Sequence, residues 1–127
     1  MNVYSKLGPR AGKDFIRSLE KDGIIFDSGN VWITFKAEDL KGKGIYMSRL
    51  KRLSRGRLIV TEDHLIAMAG GYKIIDLPGR HELFNKLTID RSDPERCTIK
   101  IDLSLFPTEL TGKIILAYHV SPDLLPV

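Results

Sequence analysis

The chain has 127 residues, 43% of them hydrophobic and 28% charged, which is the composition of one globular domain and excludes extended disorder or a fibrous repeat. No apolar run approaches the roughly 20 residues that a membrane-spanning helix needs, and a single cysteine excludes an internal disulfide. The net charge of +4 is concentrated in the segment 41–57, which holds seven basic and no acidic residues, whereas the rest of the chain holds 13 basic and 16 acidic residues.

The N-terminal region is predicted to contain little ordered structure before a single helix. Residues 1–10 are expected to form a flexible arm, because a Gly-Pro pair interrupts them. Residues 11–22 predict a short helix whose apolar face carries Phe15, Ile16 and Leu19, and a glycine follows as the stop signal.

From position 23 the residue pattern becomes mainly strand-like, and residues 23–120 are predicted to form the β-barrel. The first two β-branched and aromatic runs, 24–26 and 31–35, are separated by turn-forming residues and therefore predict a hairpin. The second run has apolar side chains on one face and Trp32 on the other. We expect this strand to be covered on both faces or to lie at an interface.

The next part of the chain is the basic segment, and its secondary structure stays open. Residues 36–44 are predicted to form a polar loop. In the stretch 45–54, the spacing of Tyr46, Leu50 and Leu53 fits a basic amphipathic helix suited to a membrane surface or a binding groove. The strands that follow favour a strand instead.

Three short strands joined by two-residue turns, at 57–61, 64–69 and 72–77, predict an antiparallel meander. Further along, the sequence predicts a turn or two of helix at 80–87 that buries Leu83, Phe84 and Leu87, a charged loop at 90–96, and strands at 98–103 and 113–120. The fold class is therefore mainly β: a small antiparallel barrel or a two-sheet sandwich, forming a single domain over 1–127, with a short N-terminal helix.

The meander also carries a family resemblance. It runs Gly-Arg-Leu-Ile-Val-Thr from Gly56, then a turn, His-Leu-Ile-Ala from His64, a glycine turn, and Lys-Ile-Ile-Asp-Leu-Pro ending at Pro78. This pattern resembles the central strands of GRAM domains and of bacterial pleckstrin-homology-like domains. The resemblance implies a pleckstrin-homology-like barrel. It also implies that the basic segment ahead of the meander lies where lipid-binding members hold phosphates, although the long closing helix of that family has only residues 121–127 to form it.

Motifs for catalysis or metal binding are missing from the sequence. His64, His81 and His119 have no zinc-ligand spacing, and Cys97 begins a strand with apolar neighbours, which predicts a buried, inert thiol. The acidic stretch 90–95 lacks the glycine and distal glutamate of a calcium loop. We therefore expect no enzyme activity, no cofactor and no metal.

The basic segment 41–57 is the predicted binding site for an anionic lipid or an acidic protein surface. The candidate residues are Arg49, Lys51, Arg52, Arg55 and Arg57. A nucleic-acid-binding barrel is the less favoured alternative, and a self-assembling structural subunit is a third. The termini show no targeting or lipidation signal, so the expected location is cytoplasmic, either free or peripheral to a membrane.

Overall fold

The computed structural model describes residues 3–78, 87–90, 92–93, 95–105 and 109–119, which form an antiparallel sheet curled into half a barrel and preceded by short helices. The mainly β, antiparallel prediction is thereby confirmed. The helices are α1 (Val3–Leu7) and α2 (Lys13–Lys21), and a 3₁₀ turn covers Leu103–Leu105. The strands are β1 (Ile24–Asp27), β2 (Val31–Gly42), β3 (Ile45–Thr61), β4 (His64–Ala69), β5 (Tyr72–Pro78), β6 (Leu87–Asp90), β7 (Cys97–Asp102) and β8 (Thr111–Tyr118).

The strands lie in the order β5-β4-β3-β2-β8-β7-β6. Two series of sequential antiparallel strands, β2 to β5 and β6 to β8, are joined where β2 pairs with β8. The predicted meander is confirmed as the second half of β3 with β4 and β5. Its β4–β5 turn needs glycine, because Gly70 and Gly71 both have a positive φ, of 57° and 85°.

The inner face of the sheet carries the main hydrophobic core. Alternate residues of β2, β7 and β8 point into it, with Phe35, Ile99 and Leu116 among the fully buried ones. Across this core, the hydroxyl of Tyr118 donates a 2.9 Å hydrogen bond to the carbonyl oxygen of Met68. Because this bond joins β8 to β4, which are not neighbours in the sheet, it holds the sheet in its curl.

The expected flexible arm is corrected in its first part, because residues 3–7 form α1. Val3 and Tyr4 are buried in the main core, and the Tyr4 ring meets Phe35 edge to face, with 5.0 Å between ring centroids. The Tyr4 hydroxyl also shares a 2.6 Å hydrogen bond with Ser54. Two apolar side chains near the N-terminus are enough to dock this segment, and the Gly-Pro pair ends the helix instead of marking disorder.

The outer face of the sheet is covered at one end by α2, which confirms the predicted helix. Leu19 is buried there against Ile59, Ile66 and Met68, with Phe15 and Ile16 packed around them. This second small core explains why β4 is apolar on both faces.

The predicted hairpin between 24–26 and 31–35 is wrong, because β1 and β2 both pair with β3, one after the other along the same side. Ser28 causes the continuation. Its amide donates to the carbonyl of Leu58 at 3.0 Å, and its Oγ accepts from the amide of Leu58 at 2.9 Å. The turn residues therefore make a bulge that keeps the chain beside β3 instead of reversing it.

The predicted polar loop at 36–44 is also corrected: β2 continues to Gly42, and the connection to β3 is the pair Lys43-Gly44. A bulge hides the strand pattern in the sequence. Asp39 has a positive φ of 51°, and the inward positions change from odd numbers to even ones there, with Ala37 and Leu40 both buried.

Residues 45–54, for which the sequence allows a helix or a strand, form a strand, since β3 runs unbroken through them. Residues 80–86 of the predicted helix at 80–87 lie outside the described residues. Its last residue, Leu87, begins β6. The strand β6, its pairing with β7, and the 3₁₀ turn were not predicted from the sequence. Neither helix in the described part of the chain has the length and apolarity that spanning a membrane requires.

Candidate functional site

Strand β3 distributes the five candidate bases over both faces of the sheet. From Arg49 onward, even-numbered residues point toward the core and odd-numbered residues point outward. The outward group includes Arg49, Lys51 and Arg55, all of them exposed. Arg52 and Arg57 have other environments, so the five residues do not form one cluster.

Arg52 lies on the inner face and packs against α1. Its guanidinium carbon is 5.8 Å from the centroid of the Tyr4 ring, within the range of a cation–π contact. Burial raises the pKa of Tyr4, while the hydrogen bond to Ser54 and the charge of Arg52 act in the opposite direction. Arg52 therefore contributes to the docking of α1 and does not face the other bases.

Arg57 points outward but is paired with Asp27 of β1. Its Nε donates to Asp27 Oδ1 at 2.8 Å, and its second terminal nitrogen donates to Asp27 Oδ2, which makes a bidentate pair. The hydrogen bonds from Arg57 lower the pKa of Asp27, against an opposing effect of partial burial. The charge of Arg57 is thus neutralised locally, and the pair ties β1 to β3.

The remaining three bases are joined on the outer face by lysines from other strands. Residues directly opposite each other in an antiparallel sheet point to the same face, so the register identifies these neighbours. Lys51 lies opposite Lys36 of β2, Lys36 lies opposite Ile115 of β8, and Ile115 lies opposite Lys100 of β7. We call the resulting surface the outer basic face, and it consists of Lys36, Arg49, Lys51, Arg55, Lys100 and Lys113.

Within the part of the chain that the structure describes, no ion pair compensates the charges of the outer basic face. In the described part of the chain, the pair between Arg57 and Asp27 is the one salt bridge, and it lies outside this group. Two carboxylates, Glu38 and Asp102, stand in the next cross-strand row, where the order is Arg49, Glu38, Lys113, Asp102. One row therefore carries positive charge alone, and the adjacent row alternates in sign.

The spacing between Lys36 and Lys51 is the closest that a sheet allows for cross-strand neighbours. The carbonyl oxygen of Trp32 accepts a hydrogen bond from the amide of His119 and therefore points away from β3. Trp32 and its cross-strand partner Arg55 are thus a non-hydrogen-bonded pair of the β2–β3 ladder. These pairs alternate along the ladder, which makes Lys36 and Lys51 a non-hydrogen-bonded pair as well, with Cα atoms about 4.5 Å apart. Like charges at such positions destabilise a sheet unless something neutralises them.

Exposed apolar groups border the basic residues. Leu53 is 62% exposed and Trp32 is 46% exposed, and both belong to the outer face. The Arg55 guanidinium lies 4.1 Å from the centroid of the Trp32 ring. Trp32 is therefore not covered by the described residues but is an exposed ring that carries a stacked arginine, and its place at an interface stays a prediction. A shallow groove of about 190 Å³ lies on the surface of the β2–β3 ladder nearby and is lined in part by Lys36, Glu38, Arg49 and Lys51.

Other side chains that could take part in catalysis or metal binding are dispersed in the structure. Cys97 is buried, as predicted, and His119 Nε2 shares a 3.1 Å hydrogen bond with Thr34 Oγ1. His64 begins β4, and His81 lies outside the described residues. Over the described ranges, no three His, Cys, Asp or Glu side chains come together in a way that would hold a metal ion. Asp90 accepts hydrogen bonds from Ser92, which lower its pKa.

No family model, no curated protein and no solved structure matches this chain. The resemblance of 56–78 to GRAM and pleckstrin-homology-like domains therefore stays a prediction.

The sequence pattern missed three members of the outer basic face. The sequence predicts a loop at Lys36, and Lys100 and Lys113 lie far from the basic segment in sequence. The alternation of the strand at 98–103 does place Lys100 outward. What the sequence does not contain is the pairing of β8 with β2, which brings Lys113 and Lys100 beside Lys36 and Lys51.

Proposed function

We propose that this protein is a non-catalytic binding module of pleckstrin-homology-like type that docks on an acidic protein partner through the outer basic face. The observation that carries the proposal is the direct cross-strand opposition of Lys36 and Lys51, with Lys100 in the same row. An isolated domain gains nothing from this opposition, because like-charge pairs weaken a sheet. A partner with acidic groups removes the repulsion and gains the attraction.

The pattern of charges favours a protein partner over a lipid surface. Glu38 and Asp102 interrupt the basic residues in the row next to Lys36 and Lys51. A fluid anionic membrane would repel these two carboxylates, whereas a protein surface can place its own charges to match both signs. Charge complementarity of this kind gives an interface its register and its specificity.

The apolar border of the face supports the same interpretation. Tryptophan and arginine are the residues most often found at the energetic centre of protein interfaces. Here Arg55 is stacked on Trp32, so its charge is held in place before a partner arrives, and Leu53 adds exposed apolar area in the adjacent row. Such pre-organisation reduces the entropy lost when a complex forms.

The pleckstrin-homology-like type rests on the residue pattern from Gly56 to Pro78 and on its arrangement in the sheet. This segment forms the consecutive antiparallel strands that the resemblance implies, with tight turns at the expected places. The curled antiparallel sheet is compatible with a small barrel of that class.

Trp32 provides a direct test, because it is the single tryptophan of the chain and lies within the proposed interface. We expect poly-L-glutamate to change the fluorescence of Trp32 and to do so less as salt is added. The double variant Lys36→Glu/Lys51→Glu should weaken this binding by at least about tenfold, which corresponds to about 1.4 kcal/mol.

The matched control reverses two bases elsewhere on the surface. Lys13 and Arg17 are exposed on α2, and Lys13→Glu/Arg17→Glu changes the net charge by the same amount. Binding of this control should equal that of the unmodified protein. Equal losses in both double variants would reduce the effect to net charge and overturn the proposal. So would a Trp32 response to phosphatidylserine-containing vesicles with none to poly-L-glutamate, because the partner would then be a lipid surface.

A further inference from the structure

Strand β3 is paired unequally on its two sides. On one side, β2 pairs with it from Ile45 to Gly56 and β1 continues the pairing to Thr61. On the other side, β4 pairs with it from Gly56 to Val60. Among the residues that the structure describes, no strand lies against this second side before Gly56. We call residues 45–54 on this side the open edge of β3.

Hydrogen bonds at the end of the open edge show which backbone groups point into it. The carbonyl oxygen of Arg55 accepts a 2.8 Å hydrogen bond from the amide of Gly70, on the side away from β2. The direction of the backbone groups alternates along a strand, so Leu53 and Lys51 also point their N–H and C=O groups away from β2. Within the described residues, Lys51 and Leu53 thus present backbone donors and acceptors that no strand uses, at the spacing of a β-ladder.

We propose that the open edge of β3 accepts an extended acidic segment of the partner as an added antiparallel strand. This inference rests on the proposed function for the acidic nature of the partner and adds the way in which the partner binds. Backbone hydrogen bonds to Lys51 and Leu53 hold the segment, as in other cases where a peptide extends a sheet. The side chains beside the edge decide which segment is accepted.

The charges along the open edge select an acidic occupant. Arg49, Lys51 and Arg55 flank it on the outer face. A second copy of this chain, paired edge to edge, would set these bases against one another, and like charges at opposite positions destabilise a sheet. Basic side chains on a free edge are one way in which proteins prevent such self-pairing. Acidic side chains at the same positions would form opposite-charge pairs.

The geometry dictates a probe peptide that ends before Gly70, which already pairs with Arg55: acetyl-Val-Thr-Glu-Thr-Glu-amide. In an antiparallel arrangement its valine lies opposite Leu53, and its glutamates lie opposite Lys51 and Arg49. In this arrangement the amide of the valine points toward β3, and the amide of the next threonine points away from it. N-methylation at the valine therefore removes a hydrogen bond to β3, and N-methylation at that threonine is the matched control.

We expect the peptide to change the fluorescence of Trp32, and its glutamine analogue to bind much more weakly. N-methylation at the valine should weaken binding by at least about tenfold, whereas N-methylation at the threonine should leave it unchanged. In the complex, the amide protons of Lys51 and Leu53 should exchange with solvent more slowly, as measured by NMR.

A protein variant tests the same contact from the other side. Leu53→Pro removes an N–H that points into the open edge, a position where a strand tolerates proline. Leu53→Ala removes the same side chain and keeps the N–H, so it serves as the control. Leu53→Ala should cost the contact of its side chain with the valine alone, whereas Leu53→Pro should weaken binding at least about tenfold further. The N-methylated peptides answer the same question without altering the protein, in case Leu53→Pro does not fold.

The outcomes separate this inference from the proposed function. Equal binding of the two N-methylated peptides, with Lys36→Glu/Lys51→Glu still defective, would overturn the edge pairing and leave the outer basic face as the docking site. Loss of binding with N-methylated valine, without any effect of Lys36→Glu/Lys51→Glu, would support the backbone pairing and overturn both the proposed face and the selection of the segment by charge. No response of Trp32 to the peptide or to poly-L-glutamate would overturn both.

Discussion

At the scale of single residues, neighbours decide which bases are available to a partner. Arg55 and Arg57 are two positions apart on the same face of β3, yet Arg57 is bound by Asp27 and Arg55 is stacked on Trp32. The first contact neutralises a charge, and the second leaves the charge in place and fixes its position. The pair between Arg57 and Asp27 is thus structural, whereas Arg55 belongs to the proposed interface.

The pair between Asp27 and Arg57 gives a prediction about pH. Because the pKa of Asp27 is lowered in the folded protein, the pair stabilises the fold at pH values above the unfolded pKa of about 3.9 and loses this effect as the pH falls through the folded pKa. We expect Asp27→Asn to lower the free energy of unfolding by about 0.5–1 kcal/mol at pH 7. Urea denaturation of both proteins at pH 7 and at about pH 2 measures the difference, which should be smaller at the lower pH.

Asp76→Asn is a suitable control for this experiment, since Asp76 is exposed on β5 and takes part in no described ion pair. It should change stability little at either pH. A difference between Asp27→Asn and the unmodified protein that persists unchanged in acid would contradict the assigned role of the pair.

At the scale of elements, α1 is the segment whose role the structure changes most. It lies against the inner face, where Tyr4 reaches Phe35 and Ser54. A helix of five residues has no stability of its own, because helix nucleation is unfavourable. Its structure therefore comes from the burial of Val3 and Tyr4, which makes α1 part of the core.

We expect Tyr4→Ala to lower the free energy of unfolding by about 3 kcal/mol or more, the usual cost of removing a buried aromatic ring. Tyr46→Ala is the matched control, since Tyr46 is 66% exposed on β3, and its effect should stay within about 0.5 kcal/mol. Chemical denaturation of the two variants provides the comparison. Similar small effects of both substitutions would mean that the N-terminal segment is an arm after all.

At the scale of the whole molecule, the sheet collects charge from distant parts of the chain on one face. The outer basic face takes residues from β2, β3, β7 and β8, although the basic segment contributes to β2 and β3 alone. The concentration of positive charge favours binding of an acidic partner and lowers the folding stability of the isolated domain. Binding and stability should therefore respond in opposite directions to the same substitution.

Lys36→Glu tests this opposition, because it converts a like-charge cross-strand pair with Lys51 into an opposite-charge pair. We expect the variant to be more stable by about 0.2–1 kcal/mol in chemical denaturation at low salt, and to bind poly-L-glutamate more weakly. Lys41→Glu is the control, since Lys41 lies on the same strand opposite Tyr46 and Thr111 and has no lysine across from it. A destabilised Lys36→Glu variant would contradict the repulsion between the two lysines.

The elements with regular patterns could be predicted from the sequence. The helix around Phe15, Ile16 and Leu19 and the strands on either side of Gly70-Gly71 follow from local spacing, because each depends on neighbours a few residues away. The predictions of a β1–β2 hairpin and of a loop at 36–44 are wrong for the same reason. Bulges at Ser28 and Asp39 break the two-residue period, and turn-forming residues that continue a strand have the same composition as residues that reverse one.

Composition, periodicity and charge are local properties, so the order of the amino acids is enough to predict a mainly β domain with an excess of positive charge in its middle third. Which bases stand together depends on tertiary contacts. Strand alternation sends Arg52 to the core side, Asp27 neutralises Arg57, and the pairing of β2 with β8 brings in Lys100 and Lys113. A surface of charge is made by register between strands that are distant in sequence, and register is fixed by the packing of the core.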